Sequence, residues 1–540
     1  MESLAEDLVT MVRRPLTEDH VRLLRRIGRV EEVEAGMPVI RAGERYDRFQ
    51  YVLEGEFELY DPVKNIRMGE ATLGPGQFVG EISFLNGSAA LYSVRAARKG
   101  SLLIAPRQEV LDLMAATPEM SDIIVTVLAA RRREALKGWT SALTVVGPSD
   151  DRQVREIAAF AGRNRIPIRL VDPSSEDAHG LGEVCRFKPK KGTHVIFGEG
   201  ELLPEASPRA IADRLGMGLD AGETRTYDVV IVGGGPAGVA AAVYAGAEGL
   251  CALVVEDLAI GGQAGTSSRI ENYMGFPTGI SGADLCWRGE IQAMKFGTRF
   301  AMPHRVSAIE PEGSHWCLTL DDGARVLARS VVVATGVQYR RLGLPRVQDL
   351  EGAGIYYSAT EVESRYCRDT EVVVIGGGNS AGQAAMFLCR TAKHVHLLVR
   401  GSSLASSMSS YLIERLTQDP AISIHYNTEV AELEGKDRLD SVTIRDRLEG
   451  RDWKLSARAV FVMVGAAPNT DWLAGRVKTD NHGFVLTGDP AGVDGQYATS
   501  CPGIFAVGDV RAGSVKRVAS SVGEGSVVIS EVWGYLAAQG

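Results

Sequence analysis

The pattern of apolar and polar positions changes character along the chain. Up to about residue 136 it consists of short alternating runs broken by glycine, GMPVIRAGERYDRFQYVLEGEFELYD and ATLGPGQFVGEISFLNG. Alternation at period two turns one face of each run toward a core, and turn residues about every 8–12 positions close such strands into a small β-barrel or jelly roll. A helical stretch comes next, from Arg107 to about Lys137, apolar at Val110, Leu111, Leu113, Met114, Ile123, Ile124, Val127 and Leu128. It ends in a basic cluster, Arg131–Arg133, which reads as dipole compensation on a solvated face. Between about 140 and 222 the pattern predicts a β-α-β unit. ALTVVG (Ala142–Gly147) is a buried strand, DRQVREIAAFAGRNR a helix and IPIRLVD (Ile166–Asp172) the next strand; THVIF (Thr193–Phe197) and the helix SPRAIADRLGM complete it. GETRT (Gly222–Thr226) links this unit to the C-terminal remainder of the chain.

From Tyr227 onward, apolar strands run directly into glycine-rich turns and small-residue helices. Val229–Val232 leads into Gly233-Gly234-Gly235-Pro236-Ala237-Gly238, with glycines 233, 235 and 238 at G-x-G-x-x-G spacing. Gly233 serves the tight turn, Gly235 admits a pyrophosphate to the backbone and Gly238 allows close helix–strand packing; the phosphate charge then lies on the helix N-terminus. The next strand, LCALVVE, ends in Glu256, 23 residues after Gly233, where a ribose-binding acid belongs. A second unit begins at Glu371: Val372–Ile375 leads into Gly376, Gly377, Gly378 and Ala381, with Asn379 and Ser380 between, a G-x-G-x-x-A variant. Its next strand, HVHLLVR, ends in Arg400, and an arginine in place of the acid suits a 2′-phosphate, favouring NADPH over NADH. Two fingerprints 143 residues apart imply two nucleotide ligands in one enzyme, FAD and the reductant.

Composition narrows the rest. The 540 residues are 45% hydrophobic and 24% charged, ordinary for a globular protein. At roughly 100–200 residues per domain they make three or four domains. A net charge of −9 does not suggest a nucleic-acid partner. No run of 18 apolar residues is present, so no membrane span is expected, and MESLAEDLVTMVRRPL lacks the form of a secretion signal, giving a cytoplasmic expectation. The seven cysteines, Cys185, Cys251, Cys286, Cys317, Cys367, Cys389 and Cys501, contain no C-x-x-C pair. They read as small buried hydrophobes, with no metal site among them.

Residues from about Tyr227 to Gly540 resemble the low-molecular-weight thioredoxin reductases. The likeness rests on Gly261-Gly262-Gln263, ENYMGFPTGISGADL (Glu271–Leu285), Ala334-Thr335-Gly336, VGAAPNT (Val464–Thr470), SCPGIFAVGDV (Ser500–Val510) and RVASSVGEG (Arg517–Gly525). It implies FAD contacts at Gly262, Gln263, Asn272, Ala334, Gly336, Gly508, Asp509, Arg517, Val518 and Ala519. These join Gly233, Gly235, Pro236, Ala237, Gly238 and Glu256. It implies an α/β architecture with a nicotinamide domain over about 341–469 inserted into an FAD domain over about 226–340 and 470–540. A hinge is expected near Gly336 and Gly465, and a homodimer is implied.

One departure bears on chemistry. Where the family carries C-A-T-C-D-G, this chain reads Ser358-Ala359-Thr360-Glu361-Val362-Glu363. Electrons leave the flavin of such reductases by thiolate chemistry, which serine and glutamate do not perform. Ser358, Glu361 and Glu363 are thus weak candidates for tuning the flavin or meeting an acceptor, and Cys367 is read as structural.

The 140–222 segment resembles a thioredoxin- or glutaredoxin-like fold, with Gly147-Pro148-Ser149-Asp150 in the place of the dithiol and Thr193-His194 in the place of the cis-proline. The first 136 residues resemble a cyclic-nucleotide-binding domain, with Gly80-Glu81 opening the phosphate cassette and Glu81 placed for a ribose 2′-hydroxyl. Ala90 stands where the cassette needs an arginine, and Arg95 is a poor replacement, so a cyclic-nucleotide effector is doubtful against a degenerate or protein-contacting module. The reading is an FAD-dependent NAD(P)H oxidoreductase serving a small-molecule or protein electron acceptor. The alternatives are a redox or nucleotide-sensing flavoprotein and a thioredoxin-disulfide reductase using non-standard cysteines.

Overall fold

The computed structural model describes residues 14–540 except 139–142, 199, 220–224, 268, 269, 271, 340, 341, 352, 358, 360–362, 365, 366, 406, 437, 465 and 540. Near the N-terminus, six strands form one antiparallel sheet. Its two long strands, Arg48–Asp61 and Ser93–Pro106, pair along their length with register shifts between Val52 and Phe57. Such bulges bend and twist the sheet, here around Phe49, Phe57, Phe78, Phe84 and Leu102. The expected single helix after the sheet is two, Arg107–Ala116 and Pro118–Gly138. Pro118 disfavours helical backbone at the preceding residue, and Thr117 leaves the helix with φ −132°.

The solvated-face reading of Arg131–Arg133 is overturned. Arg132 is buried and pairs with Glu81. Arg131 donates to the carbonyls of Phe78 (2.6 Å) and Gly80 (3.1 Å), and Arg133 reaches Asp284 at 3.2 Å. Sequence periodicity marks these residues as helical, but their partners are distant in the chain.

Residues 143–215 build a four-stranded sheet in the order Glu201–Leu202, His194–Phe197, Leu143–Val146, Arg169–Val171. Leu143–Val146 and Arg169–Val171 are parallel, joined by the helix Arg152–Arg163; the other two pairings are antiparallel.

The next sheet is centred on Thr226–Val232, flanked by parallel Ala252–Val255 and Arg325–Val333, with Ile504–Ala506 returning from the far end of the chain to pair with Arg325–Val333. Toward their C-terminal ends these strands are buried on both faces and almost wholly apolar. The helices Pro236–Ala247 and Val518–Gln539 cover one face, where Gly525 permits contact: a Cβ there would lie 2.1 Å from the Ala237 carbonyl. A second parallel sheet contains Ile355–Tyr356, Ala459–Val462, Glu371–Ile375, His394–Val399 and Ile422–Tyr426, beside an antiparallel meander over 428–455. The two sheets are joined where Val337–Tyr339 pairs antiparallel with Ala466–Pro468. Here Thr335 donates to the Asn469 carbonyl at 2.8 Å. No helix among the described residues is long and apolar enough to cross a membrane.

Candidate functional site

The glycines of the first fingerprint divide by what surrounds them. Gly233 has φ +109°, and a Cβ on it would meet the Ala334 carbonyl at 2.4 Å; one on Gly238 would lie 1.8 Å from the Gly233 carbonyl. Both are required by the protein's own packing. A Cβ on Gly235 would meet nothing within 4 Å. Gly235 nevertheless caps the helix Pro236–Ala247 and offers no side chain to its first N–H groups. By contrast the helices beginning after Thr17, Asp151, Ser175, Ser207 and Ser281 are all capped by a side-chain oxygen. An uncapped helix start over open space in a G-x-G-x-x-G turn fits a pyrophosphate.

The surrounding residues fit the same ligand. Gly262 lies against Gly235, its added Cβ 3.0 Å from the Gly235 Cα. Pro236 and Ala237 form the first helical turn, and Ala334 bonds to the Val232 carbonyl at the C-terminal edge of the sheet. Glu256 is buried and accepts from the Gly234 N–H at 2.6 Å and the Leu258 N–H at 3.1 Å. Burial, with Asp257 adding, pushes its carboxyl up to about 8. Gln263 donates to the Val337 carbonyl, tying the first nucleotide unit to the crossover, while Gly336 has open space around it. Asn272 is exposed. Arg517 is exposed at the start of the Val518–Gln539 helix, with Ala519 exposed beside it and Val518 half-buried.

Sequence reasoning missed the group that holds the Gly508-Asp509 turn, an expected FAD contact. Glu524 is buried and accepts from the Gly508 N–H at 2.6 Å, from Arg511 at 2.8 Å and from Ser514 at 3.3 Å. It fixes the Gly508-Asp509 turn, where Gly508 has φ +73°. Burial raises the Asp509 carboxyl, with Lys516 partly offsetting. The available signal was a carboxylate in an otherwise small and apolar helical run, SSVGEGSVV.

The second fingerprint repeats the arrangement. A Cβ on Gly376 would lie 2.4 Å from the Met463 carbonyl, whereas one on Gly378 would meet only the Ser407 carbonyl, at 3.8 Å. Gly378 caps the helix Asn379–Leu388 without a side-chain bond. Asn379 accepts from the Ser409 N–H at 2.8 Å, Ser380 is exposed and Ala381 is buried against the sheet. Arg400 lies 3.5 Å from Glu429, and Arg447, from the meander, shares that carboxylate at 3.5 Å. Arg447 also donates to the Arg400 carbonyl at 3.4 Å. Two guanidinium groups therefore converge at the end of the strand where a 2′-phosphate is expected; the second was not legible from sequence.

Of the residues in the dithiol's place, Ser358 and Glu361 lie outside the described residues, and Glu363 is half-buried. The Cys367 thiol is fully buried against the Glu363 carbonyl at 3.1 Å. Burial, with Glu363 adding, pushes it up to about 12. Buried and raised in this way, the thiol lacks the exposed, electropositive setting of a reactive cysteine. Under native conditions at pH 8, iodoacetamide should leave Cys367 unmodified by peptide mass spectrometry, while denatured chain is modified fully.

In the N-terminal cassette, Gly80 has φ +143° and a Cβ there would meet the Tyr46 hydroxyl at 2.7 Å. Glu81 is taken by Arg132, whose Nε donates to it at 3.1 Å. Ala90 is buried, and Arg95 is committed elsewhere: to Glu58 at 2.8 Å, to Asn65 at 2.6 Å and over the Tyr60 ring. With Ala90 in the arginine's place and Arg95 engaged, neither of these two positions offers a cyclic phosphate a free cationic partner.

Residues 227–525 match the family model of pyridine nucleotide-disulphide oxidoreductases, and residues 30–117 match that of cyclic nucleotide-binding domains. Thioredoxin reductase of Streptomyces clavuligerus is 35% identical over 312 residues, 58% of this chain and 94% of that protein. Thioredoxin reductase of Treponema pallidum is 35% identical over 310 residues, 57% of this chain and 97% of that one. The crystal structure of Lactococcus lactis thioredoxin reductase superposes with a TM-score of 0.53 at 29% identity, covering 58% of this chain and 99% of that chain.

Proposed function

We propose that this chain, which belongs to the pyridine nucleotide-disulphide oxidoreductase family, is an FAD-dependent NADPH reductase that delivers electrons to an external acceptor without an internal dithiol. The observation that carries the reading is the pair of open glycine cradles at Gly235 and Gly378, combined with the absence of any C-x-x-C. FAD, when bound, supplies the ring that accepts hydride and passes on electrons. The chain's own residues bind and orient. The Gly235–Gly238 helix start holds pyrophosphate charge, Glu256 receives ribose hydroxyls, and the Gly508-Asp509 turn, fixed by Glu524, closes the other side. The Gly378 helix start and the Arg400–Arg447 pair hold the nicotinamide nucleotide and its 2′-phosphate. The crossover strands Val337–Tyr339 and Ala466–Pro468 are the hinge through which the inserted domain reorients.

Several features support the wider organisation: a jelly roll at the N-terminus, a thioredoxin-like unit over 140–222, and an FAD domain (226–340 with 470–540) holding the inserted domain (341–469). The middle unit's β-α-β and antiparallel β-hairpin match the thioredoxin-like order, with Gly147-Pro148-Ser149 where a dithiol would stand. Such a unit has no thiol chemistry of its own and serves docking or spacing.

The test is NADPH oxidation with a panel of acceptors, including quinones, ferredoxin- and flavodoxin-type proteins, oxygen and disulfides. Turnover with at least one non-disulfide acceptor, unchanged in a Cys367→Ala variant, is expected; turnover with disulfides alone, lost in that variant, would sink the reading. A charge-assisted hydrogen bond contributes about 1.5–3 kcal/mol. Arg447→Met should therefore raise the KM for NADPH by about tenfold or more while leaving that for NADH within about twofold. Steady-state kinetics with both nucleotides checks this.

A further inference from the structure

We infer that the cyclic-nucleotide cassette of the N-terminal module is a ligand-free clasp, which holds the helix Gly282–Lys295 in place against the FAD site. The meaning of that site rests on the FAD reading proposed for it; the clasp itself rests on contacts within the chain.

The helix Gly282–Lys295 has two committed faces. Toward the flavin-binding unit, the Gly282 N–H donates to the Ser267 carbonyl at 2.9 Å, and a Cβ on Gly282 would lie 1.6 Å from the Ala264 carbonyl. The helix start is thus pressed onto the turn just after Gly261-Gly262-Gln263. Cys286 packs at the Gly261 carbonyl, and Gly289 allows contact with Val239, a Cβ there meeting Val239 at 2.5 Å. Since Gly262 lies against Gly235, displacement of this helix moves the wall of the pyrophosphate cradle.

The opposite face belongs to the N-terminal module. Trp287, Ile291 and Met294 are buried in the module's own core with Phe84, Met120 and Ile124. Asp284 accepts from Arg165 of the middle unit at 2.6 Å and from Arg133 of the module at 3.2 Å. The same guanidinium groups stand over the Trp287 ring, at 4.5 Å and 5.8 Å from its centroid. Burial alone would raise the Asp284 carboxyl, but Arg165 and Arg133 outweigh it and hold it below the usual carboxylate range.

Glu81 anchors this bracket. It pairs with Arg132, the neighbour of Arg133, and Arg132 also donates to Ser83 at 3.1 Å and to the Arg165 carbonyl at 3.3 Å. The cassette acid therefore holds Arg132, which bonds the Arg165 carbonyl and lies next to Arg133 in the same helix. The cassette loop is covered from the other side: the Ala89 N–H donates to the Leu215 carbonyl at 2.8 Å and the Ser88 hydroxyl to the Gly216 carbonyl at 3.3 Å. A ribose seeking Glu81 competes with a buried guanidinium, and its phosphate finds Ala90. Three segments distant in sequence are thus closed on one another by contacts that a nucleotide would have to break.

The test uses the full chain with Arg165→Met, Asp284→Asn and, as conservative control, Arg165→Lys. FAD affinity is read by flavin fluorescence and thermal midpoint with and without FAD. Breaking this half-buried pair leaves a charge without its partner, so Arg165→Met and Asp284→Asn should each weaken FAD binding by about tenfold or more and lower the midpoint by several degrees. Arg165→Lys should recover most of both, and cAMP or cGMP at millimolar concentration should leave both unchanged in the parent chain. Unchanged FAD affinity and midpoint in both variants would overturn the clasp. So would stoichiometric binding of either cyclic nucleotide that Glu81→Gln abolishes. A parent chain that takes up no FAD while the variants still lose thermal stability would instead count against the FAD reading and leave the clasp standing.

Discussion

Replacing Gly235 with valine should abolish FAD binding while leaving the apoprotein folded. Its added side chain enters open space, so the fold loses no contact. That space is where the pyrophosphate must approach the backbone. Gly238→Val forms the contrast, because its Cβ would lie 1.8 Å from the Gly233 carbonyl and the helix cannot close on its strand. It should lose the cofactor and the fold together. Urea unfolding of the apoproteins, beside flavin content after reconstitution, separates the two. Equal flavin content in Gly235→Val and the parent chain would remove the pyrophosphate from this cradle.

Glu524→Ala should cost about 3–5 kcal/mol of stability and release the flavin. The substitution strands Arg511, which is mostly buried, and leaves the Gly508 N–H and Ser514 hydroxyl without their acceptor. Because this carboxylate accepts the Gly508 N–H directly, its loss acts on the Gly508-Asp509 turn first. Glu524→Gln keeps the acceptor for Gly508 and should retain more flavin than the alanine variant. Chemical denaturation and bound-flavin absorbance give both quantities; a cost under about 1 kcal/mol would mean that the loop is held by something else.

What was legible in the sequence was governed by backbone rules. The turns at Gly233 and Gly376 admit few residues other than glycine, so their spacing reports geometry directly. The apolar strands leading into them are buried on both faces, which leaves a clear pattern. What was not legible depends on tertiary partners. Arg132 and Arg133 sit at positions that periodicity alone assigns to a helix end, yet they meet Glu81, about 50 residues earlier, and Asp284, about 150 later. Arg447 reaches Arg400 only because the meander folds back beside the parallel sheet. The break at Thr117, by contrast, was announced by Pro118 and needed only the rule for residues before proline. The expectation attached to Ala90 rests on charge alone: a missing cation disfavours an anion wherever the loop goes.

NADPH is proposed to reduce a flavin held in the first cradle, with electrons then leaving without a dithiol. Anaerobic stopped-flow mixing of the FAD-loaded chain with NADPH tests it most directly. The oxidised flavin band should bleach within a single turnover, consuming one NADPH per flavin, with no second equivalent taken up by a disulfide. A flavin that stays oxidised with both NADPH and NADH, or one that takes up two equivalents, would contradict it.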